Sequence, residues 1–436
     1  MPWSPEWQVI LTSMQMSLTD EARPTIIQAL AQPSFDWEWF TARVCAHGVA
    51  PLVAAHLQKL GMVDHLPPHV RGVLQTAYYR NAARNTLLFG LVQQVLQACD
   101  RQGIAVIVLK GAALAETVYP HPAVRPMGDI DLLVRPEALE AMDDALTALG
   151  YRFVDHGRPK AYWRAQHYHL TFQSPPAAPL VVPIEVHWAL ERASCPFRMD
   201  LDGLWQRAIS ATIAGVETRI LAPEDQLLHL CVHLCKHAGT PSTDGGLSWR
   251  LRAFSDLVAV LSHTGLRLDW EALVHRAQAW DVASYLYVPL ALTCELSGVR
   301  VPASALAALQ PSDFDARLLG WARDELLEDP CPFFPDLLRL WGGAHLTQRA
   351  AVVRKVLSPA TLARRYDVAP TAAMRYGYYP RRIWYLLRRY GPVLWRLARC
   401  DPMLTAQAER KIHLAAWLLP FTIRDQPARP TSGHSC

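Results

Sequence analysis

The sequence predicts an α+β fold that is mostly helical, with a small mixed-sheet core flanked by N- and C-terminal helical regions. Apolar residues recur at three- and four-residue spacing up to about residue 100 and again after residue 223, which is typical of amphipathic helices. Between these regions lie short β-branched runs, which indicate strands. Since 436 residues exceed one ordinary compact domain, we expect more than one.

The predicted strands are short and lie in the middle of the chain. They are residues 104–109, 130–134, 151–154, 168–172 and 181–188. Predicted helices separate and flank them, and one begins near Pro136 and ends at Gly150. These helices are residues 21–31, 37–60, 78–99, 112–119, 136–149, 224–237, 249–263, 270–280, 285–296 and 317–327, with a mostly helical stretch at 360–397.

This pattern divides the chain into five predicted regions. They are a helical N-terminal region (1–100), an α/β core (101–222), a helical domain (223–345), a basic aromatic helical C-terminal region (346–424) and a flexible tail (425–436).

Charge is distributed unevenly along the chain. Residues 345–424 contain 15 Lys/Arg and 3 Asp/Glu, a net charge of +12, which leaves −8 for the remainder because the whole chain carries +4. This asymmetry suggests an anionic partner for the C-terminal region. Its arginine- and aromatic-rich stretch at 376–396 fits RNA binding, docking on a membrane surface, or a packed helix with a solvated arginine face.

The cysteines and the hydropathy bear on the cellular compartment. The nine cysteines include no C-x-x-C pair and do not resemble a disulfide framework, so we expect the reducing cytoplasm. The N-terminus lacks the features of a signal peptide, and no run of about 18 apolar residues predicts a transmembrane helix.

Two acidic residues, Asp129 and Asp131, lie at the start of a predicted strand. Alternation along the strand places both carboxylates on one face, with Ile130 on the other, so they can share divalent cations. Oxygen ligands at this spacing suit Mg²⁺ together with substrate phosphates, and Mn²⁺ is possible. Glu185, within another apolar strand, is the candidate third acid, because a neighbouring strand can bring it beside the pair.

Basic and small residues precede this acidic pair. Lys110-Gly111 lies between a strand and a helix, where glycine lets a phosphate approach the backbone and the helix N-terminus favours anions. Lys110 offers a point charge to a phosphate, and Arg125 offers a fork of donors. A lone D-x-D pattern is common in solvated turns, but together these residues predict metal-dependent phosphoryl or nucleotidyl transfer.

At these residues the sequence resembles the polymerase β-like nucleotidyltransferase superfamily, and within it a bacterial family of uncharacterised nucleotidyltransferases. The resemblance consists of Leu109-Lys110-Gly111, Arg125 to Val134, Gly150-Tyr151 and Glu185-Val186-His187-Trp188, and covers about residues 40–300. The superfamily's usual Gly-Gly or Gly-Ser turn is Lys110-Gly111-Ala112 here, and the interval from Asp131 to the third acid is long.

The resemblance implies a polymerase β-like core, an NTP substrate and transfer of a nucleoside monophosphate to a hydroxyl. It implies catalytic and metal-binding roles for Asp129, Asp131 and Glu185. It implies nucleotide-binding roles for the residues Lys110, Gly111, Arg125 and His187.

Several alternatives remain open at this point. The acceptor is RNA, protein or a small molecule, and one alternative is a toxin-like transferase that modifies tRNA or protein. Another is a catalytically inactive scaffold that binds a nucleotide or a peptide. His229, His233 and His237 share one helix face, a spacing that can bind zinc but that also suits core or cleft residues.

Overall fold

The structure is a computed structural model that describes residues 3–18, 22–155, 157–195, 197–238, 249–263, 267–328, 354, 357–359, 361–362, 377–399 and 401–418. The chain forms two compact units, one of Met1–Lys236 with Trp249–Phe314 and the other of His237–Ser248 with Asp315–Cys436. The boundaries predicted at residues 100, 222 and 345 are not tested by this division and stay a prediction. The predicted tail, 425–436, and much of the basic region lie outside the described residues.

Helices make up most of the described chain. Those that begin in the first unit are α1 (Pro5–Thr12), α2 (Ala22–Leu30), α3 (Trp37–Ala46), α4 (Ala50–Lys59), α5 (Pro68–Arg101), α6 (Lys110–Thr117), α7 (Leu139–Ala148), α8 (Lys160–Gln166), α9 (Leu201–Arg207), α10 (Pro223–Ala238), α11 (Leu251–Ser262), α12 (Trp270–Ala279), α13 (Ala283–Ser297) and α14 (Ala303–Leu309). Those of the second unit are α15 (Arg317–Leu327), α16 (Tyr378–Ala398) and α17 (Pro402–Trp417). No described helix is both long and apolar enough to cross a lipid bilayer.

One mixed sheet lies within the first unit. Its strands are β1 (Val106–Val108), β2 (Ile130–Val134), β3 (Arg152–Phe153), β4 (His169–Gln173), β5 (Pro183–His187), β6 (Ile209–Ile213) and β7 (Val216–Ile220). Their order is β3-β4-β5-β2-β1-β7-β6, with β2–β5 and β1–β7 parallel and the other neighbours antiparallel. The predicted fold class, mostly helical α+β with a small mixed sheet between helical regions, is confirmed.

The two faces of the sheet have different chemistry. Ile130, Leu132 and Val134 alternate along β2 and pack with apolar residues of β4 and β5 in the main core. Helix α5 covers this face, and residues such as Val92 and Val95 contribute to the same core. The opposite face carries Asp131, so the strand period that builds the core also leaves the acidic side chain on the other side.

Helix boundaries differ from the prediction where glycine or proline intervenes. The predicted helical stretch at 37–60, which Pro51 interrupts, is two helices, because Gly48 adopts φ +70° between them and Pro51 occupies the first turn of α4. Helix α5 begins at Pro68, ten residues earlier than predicted, and reaches 34 residues; Val70 and Leu74 of the added part are also buried.

The β6–β7 hairpin was not predicted. Its turn residues Ala214 and Gly215 both have positive φ, 53° and 75°. A two-residue hairpin turn of this kind usually carries Asn-Gly or Asp-Gly, so Ala-Gly gave no turn pattern. Contacts from outside the hairpin hold the unusual alanine: Glu116 accepts from the Ala214 N–H at 2.8 Å, and Gln93 donates to the Ala214 carbonyl at 3.0 Å.

The second unit contains an ion-pair network between α15 and α17. Arg410 contacts Asp324 at 2.8 Å and Glu328 at 2.7 Å, and Lys411 pairs with Glu325. Part of the positive charge of the C-terminal region is therefore neutralised within its own unit.

Candidate active site

The turn from β1 into α6 is strained and lies against the acidic strand. Lys110, the first residue of α6, has φ +38°, a backbone conformation that residues with a Cβ rarely adopt. The Leu109 N–H donates to the Asp131 carbonyl at 3.0 Å, and Lys110 Nζ lies 3.1 Å from Asp131 Oδ1. Lys110 is only 8% exposed, so this ion pair is formed in the interior. Backbone and side chain together fix the Lys110-Gly111 turn beside Asp131.

Strand register brings the third acid to the pair. Asp129 immediately precedes β2 and Asp131 lies within it, two residues apart on the polar side of the sheet. Strands β2 and β5 are parallel, and Asp131 is the direct register partner of Glu185. Side chains at register positions share a face, so the three acids that the sequence analysis singled out lie on one side of the sheet. Their catalytic and metal-binding roles stay a prediction.

Two histidines complete the acidic face. His187 Nε2 lies 3.0 Å from Asp131 Oδ1 and 3.4 Å from Glu185 Oε2. His169 of β4 is the register partner of His187, and its Nε2 is 4.0 Å from Glu185 Oε2. His169 was not among the predicted site residues. The indication available was its place in a strand whose alternate residues, Leu170 and Phe172, are apolar.

Charge around the carboxylates separates their pKa values. Repulsion from Asp131, followed by burial, raises the pKa of Asp129 to about 6. Burial opposes the ionisation of Asp131, but Lys110 and the hydrogen bond from His187 outweigh it and hold the pKa of Asp131 well below its ordinary value. Burial likewise opposes the ionisation of Glu185, yet the His187 hydrogen bond leaves the pKa of Glu185 lowered. Such crowding of carboxylates in a partly buried place is typical of functional sites.

Arg125, predicted to contact a phosphate, lies in a buried ion pair. Its Nε and Nη2 donate to the two oxygens of Asp256, both at 2.8 Å, and the Tyr119 hydroxyl donates to Asp256 at 2.7 Å. A Cβ added at Gly111 would lie 3.3 Å from Arg125 Nη1, so the absence of a side chain at Gly111 lets the guanidinium pack against the turn. The guanidinium of Arg125 therefore packs against the Lys110-Gly111 turn.

Polar residues of α5 hold the loop that leads into β2. Asn85 donates to the carbonyls of Pro122 and Arg125, at 2.7 and 2.8 Å, and Arg84 donates to the carbonyl of Met127 at 3.0 Å. Asn81 donates to the carbonyl of Ala123. This polar stripe, at positions i, i+3 and i+4, was not predicted. The available indication was two asparagines on a helix whose other inward residues are apolar.

Helix α10 contributes further charged and polar groups to the first unit. His229 is buried, and burial together with the Lys110 charge holds the pKa of its imidazole well below the ordinary value. Lys236 Nζ pairs with Glu191 at 3.1 Å and lies 3.9 Å from the centre of the Tyr168 ring. Tyr168 in turn contacts His187, with ring centres 5.6 Å apart.

Comparisons with known proteins identify one matching family and two similar solved structures. Residues 33–298 match the model of a family described as "Uncharacterised nucleotidyltransferase". Two solved structures are similar: the solution structure of the antibiotic-resistance factor ANT(2'')-Ia, at 18% identity, and the crystal structure of an antigenic nucleotidyltransferase-like protein from Paracoccidioides brasiliensis, at 17%.

The extent of these similarities differs. The first covers 44% of this chain and 91% of the other with a TM-score of 0.30, and the second covers 51% and 92% with a TM-score of 0.32. A search of curated proteins finds no significant match.

Proposed function

Because the chain belongs to the uncharacterised nucleotidyltransferase family, we propose that it moves a nucleoside monophosphate from an NTP to a hydroxyl acceptor with Mg²⁺ or Mn²⁺. This proposal rests on the strand register, which pairs Asp131 with Glu185 on the face of the sheet that also carries Asp129. The side chain of Lys110 reaches the same face. In the reaction, the acceptor oxygen forms a bond to the α-phosphorus, the bond between that phosphorus and the bridging oxygen breaks, and pyrophosphate leaves.

The donor set fits a divalent cation. The three carboxylates lie near one another, and Lys110 supplies one positive charge beside them. The pKa of Asp129 is raised because this charge does not fully offset the repulsion from Asp131. Hard oxygen ligands of this kind suit Mg²⁺ with substrate phosphates. When bound, such ions align the reacting oxygens and offset the charge that develops on them. Asp129 and Asp131 would hold the ion of the nucleotide, and Glu185 with Asp131 that of the acceptor.

The protein's own groups have separate roles in this proposal. Lys110 keeps Asp131 ionised, and the N-terminus of α6 at Gly111 faces the anionic phosphates. Glu185 takes the proton of the acceptor hydroxyl, and His187 orients Glu185 and Asp131 through its Nε2. We assign Arg125 a positioning role, because both oxygens of Asp256 already engage its guanidinium.

A labelling experiment tests the proposal. The full-length protein is incubated with Mg²⁺ and each α-labelled NTP, with cell extract as the acceptor. We expect Asp129→Ala and Asp131→Ala each to abolish label transfer while circular dichroism stays unchanged. The matched control is Asp144→Ala, which removes an exposed carboxylate from α7. Undiminished transfer by either active-site variant would refute the assignment.

The labelled product decides among the acceptor classes. Label on RNA or protein would support a toxin-like transferase, and label on a small molecule would support a biosynthetic one. If no NTP yields label and none binds in a metal-dependent way, the protein is an inactive scaffold. We also propose that it works in the reducing cytoplasm, which is supported by the free thiols of all six cysteines that the structure describes.

We further propose that the basic C-terminal region binds an anionic partner. In α16 the side chains of Trp384, Leu387 and Trp395 are 57–63% exposed, and Arg388 lies 5.2 Å from the Trp384 ring. Exposed tryptophans beside arginines suit both anionic lipid surfaces and stacked bases. Co-sedimentation with anionic and with neutral vesicles, alongside retention of labelled RNA, separates the two partners. Binding to neither at low salt would refute this proposal.

A further inference from the structure

Two histidines and an acid converge on one point of the sheet. One ring nitrogen each of His169 and His187 and one carboxylate oxygen of Glu185 lie within 4.8 Å of one another. Glu185 Oε2 is 3.4 Å from His187 Nε2 and 4.0 Å from His169 Nε2. In a tetrahedral site with bonds of about 2.1 Å, neighbouring ligand atoms are about 3.4 Å apart. The observed separations are therefore close to those that one bound ion requires.

Strands rather than loops hold this group. His169 and His187 are register partners across the antiparallel β4–β5 pair, and Glu185 lies two residues from His187 on the same face. The two imidazoles lie with ring centres 5.0 Å apart and a 41° angle between planes. Because β5 also pairs with β2, the position of the group is fixed on both sides by backbone hydrogen bonds. A site built on strands keeps its ligand spacing without a bound ion.

The ligand chemistry differs from that of the aspartate pair. Imidazole nitrogen suits Zn²⁺, Mn²⁺ or Co²⁺, whereas Mg²⁺ prefers oxygen ligands. Two imidazoles with one carboxylate also form the donor set of catalytic zinc sites that keep an open position. Asp131 Oδ1, 3.0 Å from His187 Nε2, is near enough to share such an ion.

We propose that His169, Glu185 and His187 form a transition-metal site, separate from the oxygen-only Mg²⁺ site of Asp129 and Asp131. The enzyme would then hold two unlike ions. The transition-metal ion would take the acceptor side, and His187 Nε2 would bind it instead of donating a hydrogen bond to Glu185 and Asp131. This catalytic meaning rests on the proposed nucleotidyl transfer, whereas binding of the ion does not.

Cobalt binding tests the site without any substrate. The full-length protein is stripped with a chelator and titrated with Co²⁺, whose visible absorption is intense in four-coordinate sites and weak in six-coordinate ones. We expect one equivalent of intensely absorbing Co²⁺ that excess Mg²⁺ does not displace. His169→Gln and His187→Gln should each weaken binding at least about tenfold, since each removes a ligand.

Control variants keep the experiment decisive. His275→Gln changes an exposed histidine of α12 and should leave the absorption intact. His187 is 2% exposed, so if its variant fails to fold, the partly exposed His169 provides the second test. Co²⁺ binding that is weakly absorbing, or unchanged in His169→Gln, would overturn the inference, because the histidines would then only orient the carboxylates.

The outcomes also separate this inference from the proposed function. Label transfer with Mg²⁺ alone, without the cobalt absorption, would overturn the transition-metal site and leave nucleotidyl transfer standing. Cobalt absorption that persists in Asp129→Asn, with no transfer by wild type from any NTP, would support the site and contradict the transferase.

Discussion

Replacement of Arg125 by alanine tests the role that the structure gives to this residue. The substitution removes two hydrogen bonds of 2.8 Å and leaves the Asp256 carboxylate, 6% exposed, with the Tyr119 hydroxyl as its remaining partner in this cluster. Hydrogen bonds to charged groups contribute about 1.5–3 kcal/mol each, and breaking a buried ion pair costs about 3–5 kcal/mol. We therefore expect Arg125→Ala to lower the free energy of unfolding of the first unit by about 4 kcal/mol.

The assay must report on the first unit alone. Urea unfolding can be monitored by hydrogen–deuterium exchange of the peptides that cover α6 and α11, which belong to the first unit. The double variant Arg125→Met/Asp256→Leu should recover part of the loss, because no unpaired charge remains buried. Arg71→Ala, which breaks a pair with the 91% exposed Asp64 side chain, is the control, expected to change stability by about 0.5 kcal/mol or less.

A different outcome would refute this reasoning. If Arg125→Ala leaves stability within about 1 kcal/mol of wild type but raises KM for the NTP at least about tenfold, the guanidinium binds a phosphate in the working enzyme. The contact predicted from the sequence would then be correct, and the pair with Asp256 would not be the main role of Arg125.

Three further predictions follow from strain, hydrogen bonding and burial. The free energy of unfolding in urea should be about 1 kcal/mol higher for Lys110→Gly than for Lys110→Met, because glycine adopts the positive φ of this position without the strain that a side chain causes. Equal free energies would argue against strain at Lys110. Asn85→Ala should lower the unfolding free energy by about 1–3 kcal/mol, since two loop carbonyls lose their donor, and Gln97→Ala on the exposed side of α5 is the control. His47 is buried, and its Nδ1 accepts from the Leu251 N–H at 3.4 Å. Burial, with the Arg43 and Arg250 charges, lowers the pKa of His47 from 6.5 to about 4. Its contribution to stability is therefore complete above pH 6.5 and falls by up to about 3 kcal/mol as the pH decreases to 4. The pH profiles of wild type and His47→Gln should differ across that interval, and parallel profiles would contradict this assignment.

Much of the fold follows from local pattern. The bounds of β2 and α15 coincide with the predicted ones, because an apolar run or a helical stripe is encoded in neighbouring residues. The family, the enzyme class and the mostly helical α+β fold were likewise predicted and are confirmed. The β6–β7 hairpin was missed because its Ala-Gly turn depends on contacts from α5 and α6 for its positive φ values.

The sequence alone determined that Asp129 and Asp131 share one face of a strand, since alternation is a property of the backbone itself. It also indicated Glu185 as the third acid, but only the β2–β5 register decided that Glu185 lies opposite Asp131. The same register brings His187 to Asp131 across 56 positions of the chain.

Only the tertiary structure decided which polar groups pair in the interior. Arg125 and Asp256 are 131 positions apart, and nothing in the sequence around Arg125 distinguishes a guanidinium that binds phosphate from one that binds a buried carboxylate. His169 joins the site for a similar reason, through its pairing with β5. Local periodicity fixes which face a side chain occupies, whereas its partner depends on which distant element the packing brings to that face.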